Sequence, residues 1–232
     1  MQIANSVVLI TGANRGLGLA FAREALARGA RRVYAAARDP ASVTLPGVHA
    51  IPLDVTDADQ VARVARECRD VTVLVNNAGI ASTGGFLEDT QLEATRRQLE
   101  TNFFGVLRMA QAFAPVLAAN GGGAILNVLS VASWINRPLL GSYGATKSAA
   151  WALTNGLRHE LRAQGTQVTA LHMGFVDTEL TRGIDMPKST PEAIVQAALA
   201  GFEAGLPEVL ADELTRQVKQ SLGSAQAAYL AP

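Results

Sequence analysis

Short apolar runs alternate with longer segments of helical period along most of the chain. Runs of strand length fall at residues 7–10, 33–36, 49–53, 71–75, 124–129, 168–172 and 209–211. The segments between them predict helices over residues 17–28, 58–68, 92–118 and 143–161, and Thr190-Pro191 opens another. Buried strands that alternate with helices are typical of a parallel sheet covered on both faces. The pattern therefore predicts an α/β protein with a doubly wound parallel sheet.

Composition narrows the class of protein. Hydrophobic residues make up 49% of the chain, and no repeat or linker divides it, so residues 1–232 are predicted to form a single domain. Basic and acidic residues balance at 20 each, so neither nucleic acid nor an anionic membrane is expected as a partner. The single Cys68 fits a reducing compartment. With no basic-then-apolar leader and no uncharged stretch of membrane-spanning length, we expect a cytoplasmic protein.

A glycine-rich turn follows the first predicted strand directly. It reads T-G-A-N-R-G-L-G and places Gly12, Gly16 and Gly18 before a helix. Glycines in this position let backbone N–H groups approach a pyrophosphate at the helix N-terminus. A glycine-rich turn without a ligand is the alternative, but the strand before it and the helix after it favour binding. We therefore expect a Rossmann-like fold in which this one domain binds a dinucleotide and carries the catalytic site.

The end of the second strand bears on which dinucleotide binds. A carboxylate there would accept hydrogen bonds from a ribose 2′-hydroxyl and repel a 2′-phosphate. The chain has Ala37 at that position, followed by Arg38, and Arg15 lies in the glycine turn. Two guanidinium groups suit a bidentate phosphate site, although Asp39 could compete for Arg38. The predicted cofactor is NADP(H).

Tyr143 and Lys147 form the most informative pair of side chains. Residues four apart on a helix share one face, so the phenol and the ammonium can point into the same cavity. A free phenol has a pKa of about 10, and a cation about 4 Å away would lower it by roughly three units. That shift would bring Tyr143 close to the pH at which general acid–base catalysis is efficient. An aromatic residue with an exposed lysine one turn later is the alternative for this pair taken alone.

Five ordered motifs together resemble the short-chain dehydrogenase/reductase family. The glycine turn, Asp54-Val55, the run N-N-A-G at residues 76–79, Ser130 in N-V-L-S, and Y-G-A-T-K follow in the family's order. Asn102 in T-N-F-F-G completes the family's catalytic tetrad. The resemblance extends from the first strand to about Thr178 and weakens afterwards. The sequence departs from the family's pattern at Met173, where the family usually has proline.

The resemblance implies a role for each catalytic residue. Tyr143 would donate a proton to a carbonyl oxygen, and Ser130 would donate a hydrogen bond to the same atom. Lys147 would lower the pKa of the phenol and bind the nicotinamide ribose, and Asn102 would hold a water that links Lys147 to solvent. Ser133 and Ser142 are alternatives to Ser130, but Ser130 ends a predicted strand, where ligands bind in open α/β sheets. Ser142 is expected to cap the following helix.

The resemblance also implies a set of cofactor contacts. They would come from the glycine turn, the adenine and N-N-A-G motifs, the catalytic helix and the segment after the sixth strand. The residues are Gly12, Asn14, Arg15, Gly16, Leu17, Gly18, Arg38, Asp54, Val55, Asn77, Ala78, Gly79, Tyr143, Lys147, Gly174, Val176 and Thr178. His49 and His172 are interpreted as strand residues and His159 as a residue near a helix end, so no metal site is expected.

The sequence as a whole predicts an NADP(H)-dependent carbonyl reductase or alcohol dehydrogenase. A mainly apolar pocket is expected from Phe86, Trp134, Ile135, Leu139, Leu140, Met173 and Phe175. The substrate would be a small ketone, aldehyde or secondary alcohol with apolar flanks. The resemblance implies that the two long helices pair across a two-fold axis, which predicts a homodimer or homotetramer. The small and apolar residues that would form their faces are Ala145, Ala149, Ala152, Leu153, Leu107 and Ala110. The alternatives are an NADP-sensing binding module without turnover, and an isomerase or dehydratase on the same scaffold.

Overall fold

The computed structural model describes residues 1–230, which contain one parallel sheet of seven strands. The strands are β1 (Val7–Thr11), β2 (Arg32–Ala37), β3 (His49–Pro52), β4 (Val73–Asn76), β5 (Ala124–Val128), β6 (Gln167–His172) and β7 (Glu208–Leu210). Their order is β3-β2-β1-β4-β5-β6-β7, so the order reverses between β1 and β4. A crevice at such a reversal, outside the carboxyl ends of the strands, is where open α/β sheets bind ligands. The predicted α/β, doubly wound parallel fold is confirmed.

Seven helices are found in the described part of the chain. They are α1 (Gly16–Ala27), α2 (Ala58–Glu67), α3 (Gln91–Leu99), α4 (Gly105–Ala119), α5 (Gly141–Glu160), α6 (Pro191–Glu203) and α7 (Glu213–Ser221). Helix α7 was not predicted, because its sequence is mostly polar and only Thr215 and Val218 are buried. Its start is fixed by Asp212, whose side chain accepts from the Thr215 N–H at 2.9 Å. Helix α5 begins two residues earlier than predicted.

Helices pack on both faces of the sheet, each over its own apolar cluster. On one face Phe21 of α1 and Phe202 of α6 pack against β1, β2 and β4. On the other face α2, α4 and α5 cover the sheet, with Phe113 fully buried at the centre. The alternate residues of the central strands therefore point into two separate cores, which explains why these strands read as continuous apolar runs.

The helix predicted over residues 92–118 is continuous but irregular. A π-helical turn, Glu100–Phe104, joins α3 to α4. The span Gln91–Ala119 is long enough to cross a membrane, and one 18-residue window within it has the mean hydropathy of a membrane-spanning helix. Its apolar face, with Met109, Phe113 and Leu117, is fully buried against the sheet. This face therefore belongs to the core of the fold.

Candidate active site

The glycine turn between β1 and α1 has a shape that only glycine allows. Gly12 and Gly16 have positive φ angles of 65° and 53°. A Cβ atom on Gly18 would lie 2.1 Å from the carbonyl oxygen of Gly12. No side chain caps the first turn of α1, whose N-cap is Arg15. The N–H groups of that turn lack side-chain partners and can bind a phosphate group, so the turn fits a dinucleotide.

The N-N-A-G segment ties β4 to the glycine turn. The Asn77 Nδ2 donates to the carbonyl oxygens of Thr11 at 2.8 Å and Gly12 at 3.1 Å. In return, the Thr11 hydroxyl accepts from the N–H groups of Asn77 at 3.0 Å and Ala78 at 2.9 Å. The sequence did not predict that the Thr11 hydroxyl would bind this segment. Asn77 thus holds the turn in shape.

A cavity of about 1170 Å³ lies at the carboxyl edge of the sheet. All but two of the predicted site residues line it: Gly12, Asn14, Arg15, Gly16, Leu17, Arg38, Asp54, Val55, Asn77, Ala78, Gly79, Ser130, Tyr143, Lys147, Gly174, Val176 and Thr178. The exceptions are Gly18, which is buried against Gly12 and Asn77, and Asn102, which is almost fully buried. The cavity is large enough for a dinucleotide and a small substrate together.

Three catalytic candidates meet at the centre of this cavity. The Ser130 side chain lies close enough to the Tyr143 hydroxyl to lower its pKa. The Lys147 Nζ lies 5.7 Å from the centroid of the Tyr143 ring and donates to the Val128 carbonyl oxygen at 2.8 Å. Both Tyr143 and Lys147 belong to α5, and Ser130 comes just after β5. The helix and the strand end thus bring a phenol, an ammonium and a hydroxyl to one site.

Burial shifts both ionisable groups of this site toward their neutral forms. Burial raises the pKa of Tyr143 to about 12, and the neighbouring Ser130 side chain offsets part of this rise. Burial lowers the pKa of Lys147 to about 8. The expected lowering of the tyrosine pKa by Lys147 is therefore wrong for the protein groups alone, because desolvation is the largest cause of the shift and Lys147 is not among the causes. Tyr143 is protonated at neutral pH, as a proton donor must be.

Asn102 lies in the π-helical turn, a distortion that is frequent at functional sites. Its Oδ1 accepts from the Ile80 N–H at 2.9 Å, and its Nδ2 donates to the Ile80 carbonyl at 2.9 Å and to Thr146 Oγ1 at 3.0 Å. A Cβ on Gly79 would lie 3.2 Å from Asn102 Oδ1 and 3.9 Å from Lys147 Nζ. Asn102 therefore anchors the wall of the cavity beside Lys147.

The two other serines have different surroundings from Ser130. Ser142 is fully buried, accepts from Gln98 Nε2 at 2.8 Å and donates to Gln91 at 3.2 Å. Its expected capping role is wrong, because α5 begins at Gly141 with Leu140 as its N-cap. The Ser133 hydroxyl is buried with no hydrogen-bond partner in residues 1–230. Neither serine lines the cavity.

The two arginines predicted for a 2′-phosphate differ in their partners. Arg38 is exposed at the cavity and forms no ion pair within the described chain. Asp39 does not compete for it, because the Asp39 side chain accepts from the Ala41 N–H at 3.0 Å. Arg15 forms an ion pair with Glu179, which also pairs with Arg182 at 3.2 Å. Sequence reasoning missed Glu179, since nothing local signals a contact with a residue so distant along the chain.

The apolar wall of the cavity is smaller than predicted. Met173 and Phe175 line it. Trp134 and Ile135 do not, because they pack with Val218 of α7 in a separate cluster. Phe86, Leu139 and Leu140 do not line it either, and Phe86 and Leu139 are about half exposed. The unpredicted helix α7 therefore accounts for part of the difference.

Comparisons with known proteins agree with this geometry. The family model described as short chain dehydrogenase matches residues 6–188. A galactitol 2-dehydrogenase of Cereibacter sphaeroides is 40% identical over an alignment of 192 positions, and the match covers 78% of this chain and 75% of the relative. A sorbitol dehydrogenase of the same organism is 37% identical over an alignment of 195 positions, and the match covers 80% of this chain and 76% of the relative.

A solved structure resembles the chain over its full length. The short chain dehydrogenase from Burkholderia cenocepacia J2315 in complex with NADP is 39% identical, with a TM-score of 0.95 and 100% of both chains covered. One from Sphingobium yanoikuyae in complex with NADPH is 30% identical, with a TM-score of 0.80 and coverage of 96% and 98%. The fold and the family match agree, and this chain belongs to the short-chain dehydrogenase/reductase family of oxidoreductases.

Proposed function

We propose that this enzyme is an NADP(H)-dependent carbonyl reductase, equivalently an alcohol dehydrogenase, for a small substrate with apolar flanks. The observation that carries the proposal is the meeting of Tyr143, Ser130 and Lys147 in a cavity that begins at a phosphate-binding turn. Two relatives are named as a sorbitol dehydrogenase and as a galactitol 2-dehydrogenase that forms L-tagatose, which supports an oxidoreductase of alcohol and carbonyl groups.

The mechanism assigns one task to each side chain. When bound, the nicotinamide supplies the hydride for reduction, or accepts it in the reverse direction. Ser130 donates a hydrogen bond to the substrate oxygen and polarises the carbonyl group. Tyr143 gives its proton to the same oxygen as negative charge develops there. Lys147 then returns a proton to the phenolate, and Asn102 holds the wall through which a water would reach Lys147.

The choice of NADP(H) is supported by charge at the end of β2. The side chain of Arg38 is free to receive a 2′-phosphate, and Ala37 offers no carboxylate to a ribose hydroxyl. The structures from Burkholderia cenocepacia and Sphingobium yanoikuyae contain NADP and NADPH. The ion pair between Arg15 and Glu179 is an observation against NADP(H), because a phosphate bound at Arg15 would have to displace the Glu179 carboxylate.

A double substitution tests the choice of cofactor. Ala37→Asp with Arg38→Ile is expected to shift the ratio of kcat/KM for NADPH over NADH by about 100-fold, which corresponds to about 2.7 kcal/mol. Steady-state kinetics with both cofactors measure it. Arg38→Ile alone serves as the control, and it should lower kcat/KM for NADPH without raising kcat/KM for NADH. An unchanged ratio in the double variant would refute the assignment.

The pH dependence of carbonyl reduction follows from the lowered pKa of Lys147. Only the ammonium form can return a proton, so kcat/KM for reduction should fall about tenfold per pH unit above about 8. The titration of Lys147 would not itself produce such a fall through unfolding. In the unfolded chain Lys147 keeps its proton up to about pH 10.5, whereas in the folded chain it loses the proton above about pH 8. Between these two values the contribution of this group to the free energy of unfolding therefore rises with pH. Activity that stays level to pH 9.5 would contradict the role of Lys147.

A survey of substrates tests the reaction class. NADPH oxidation is followed at 340 nm with aromatic ketones, steroids, quinones, short aldehydes and ketoses. The proposal predicts net oxidation with at least one apolar carbonyl compound. A sensing module or an isomerase would consume no cofactor in net terms. Binding of NADPH without oxidation by any of these compounds would therefore favour the alternatives.

The proposal includes a homodimer or homotetramer in the cytoplasm. Ala145, Ala149, Ala152 and Leu153 of α5 form a partly exposed face that suits a second copy. Ala110 of α4, expected to take part in the pairing of the helices, is instead buried in the core of the chain. Light scattering after size exclusion should give two or four times 24.3 kDa, and a monomer at micromolar concentration would refute the assembly.

A further inference from the structure

A buried polar and aromatic cluster lies behind Ser130 and takes no part in the mechanism above. At its centre is His172, the last residue of β6, which is fully buried. Its Nδ1 lies 3.1 Å from the carbonyl oxygen of Ser130. Its ring stacks on Trp134, with centroids 3.9 Å apart and planes inclined by 23°. The 3₁₀ turn Val131–Ser133 separates Ser130 from Trp134, so one imidazole contacts both ends of this turn.

The remaining neighbours pack around the imidazole, whose Nε2 has no hydrogen-bond partner among residues 1–230. Glu208 Oε1 lies 3.6 Å from His172 Nε2. Glu208 is itself held by Trp151 Nε1 at 2.8 Å and by Lys219 Nζ at 2.6 Å. The Lys219 ammonium also lies over the Trp134 ring, 4.8 Å from its centroid. Because a carbonyl oxygen only accepts hydrogen bonds, Nδ1 is the nitrogen that carries a proton in this arrangement.

The contact with His172 bears on where the Ser130 hydroxyl points. The carbonyl oxygen of Ser130 accepts a second hydrogen bond from the Ser133 N–H at 3.0 Å, within the turn itself. The Ser130 Oγ accepts from the Ala132 N–H at 3.1 Å, and a substrate oxygen would take up the hydroxyl proton that otherwise interacts with Tyr143. His172 thus supplies the side-chain bond that ties the start of the turn to β6. A displacement of about 1 Å at such a group can cost about 100-fold in rate.

We propose that His172 is a positioning residue for the reaction. Its Nδ1–H fixes the Ser130 carbonyl and thereby the direction of the Ser130 hydroxyl, while its stacked ring holds Trp134 at the other end of the turn. The proposal rests on the function proposed for Ser130. Sequence reasoning treated His172 as an ordinary strand residue, because nothing along the chain predicts its contacts with Ser130, Trp134 and Glu208.

Two substitutions separate the hydrogen bond from the packing. His172→Asn keeps an amide N–H near the position of Nδ1 but loses the ring. His172→Phe keeps the ring and the stack but loses the donor. If the donor positions Ser130, kcat for the asparagine variant stays within about threefold of wild type, and kcat for the phenylalanine variant falls about tenfold or more. The Tm values should rank in the opposite order, because the asparagine leaves a cavity.

Further measurements keep the outcome unambiguous. The Kd of NADPH, measured by fluorescence, should change less than twofold in both variants. Equal kcat values, or kcat values that follow Tm, would overturn the role of His172. If the phenylalanine variant does not fold, His172→Gln replaces it, since its longer amide points toward Glu208, and it should show the same loss of kcat. Ser130→Ala separates the two proposals. Full activity in that variant would refute the role of Ser130, whereas activity lost there but kept in His172→Phe refutes only that of His172.

Discussion

Tyr143→Phe should abolish turnover and leave cofactor binding nearly intact. The substitution removes one oxygen from a site where the phenol is the protonated acid and its pKa is raised to about 12. Loss of a positioned general acid costs about 10²- to 10⁴-fold in kcat, because the proton is needed only as the substrate oxygen becomes negative. The Kd of NADPH should stay within about threefold of wild type, since the ring and the neighbouring Lys147 remain. Single-turnover kinetics and fluorescence titration measure the two quantities.

The control for this variant is Tyr229→Phe. Tyr229 is about half exposed, near the end of the described chain, and does not line the cavity. Its loss of a hydroxyl should leave kcat and Kd unchanged. If Tyr143→Phe kept more than about a tenth of wild-type turnover, another group would have to be the acid, and the assignment of the site would fail.

Gly18→Ala should be the most damaging single change to cofactor binding. Its new Cβ would lie 2.1 Å from the Gly12 carbonyl oxygen and 2.7 Å from Asn77 Nδ2. Neither can yield without opening the turn, because Asn77 is the residue that ties the turn to β4. We expect the Kd of NADPH to rise about 100-fold or more, and stability to fall by about 1–3 kcal/mol from overpacking. Calorimetric titration and thermal unfolding measure these effects.

Gly223→Ala provides a matched control, because it adds the same methyl group where a Cβ meets nothing within 4 Å. Its φ angle is not positive, so alanine is allowed there, and a small gain of stability is expected from the lower entropy of the unfolded chain. NADPH affinity should not change. Equal affinities of the two variants would show that the turn does not approach the cofactor.

Much of the fold follows from the order of apolar runs along the chain. All seven strands and six of the seven helices have predicted counterparts, because each buries a periodic set of side chains that local sequence reveals. Helix α7 lacks that signal, since its sequence is mostly polar and few of its residues are buried. The π-helical turn at Asn102 was not predicted either, because the contacts of Asn102 with Ile80 and Thr146 join segments that are distant along the chain.

In the candidate site, too, features with a local sequence signal were predicted and features that depend on the assembled fold were not. The glycine turn and the Tyr143–Lys147 pair were predicted, since their chemistry depends on spacing along one segment. The pKa of Tyr143 was predicted in the wrong direction, because burial is a property of the assembled cavity. The contact between Arg15 and Glu179 joins segments that only the fold brings together. The same is true of His172 and Ser130.

Deuterium transfer tests the central claim most directly, namely that hydride passes from the cofactor to a carbonyl carbon while Tyr143 protonates the oxygen. The enzyme is supplied in turn with NADPH labelled at each of the two C4 positions and with an accepted ketone, and the alcohol is analysed by mass spectrometry. We predict one added deuterium from only one of the two labels, and no labelled alcohol above background with Tyr143→Phe. Oxidation of NADPH with no deuterium in the alcohol from either label, or undiminished labelling by Tyr143→Phe, would contradict the account.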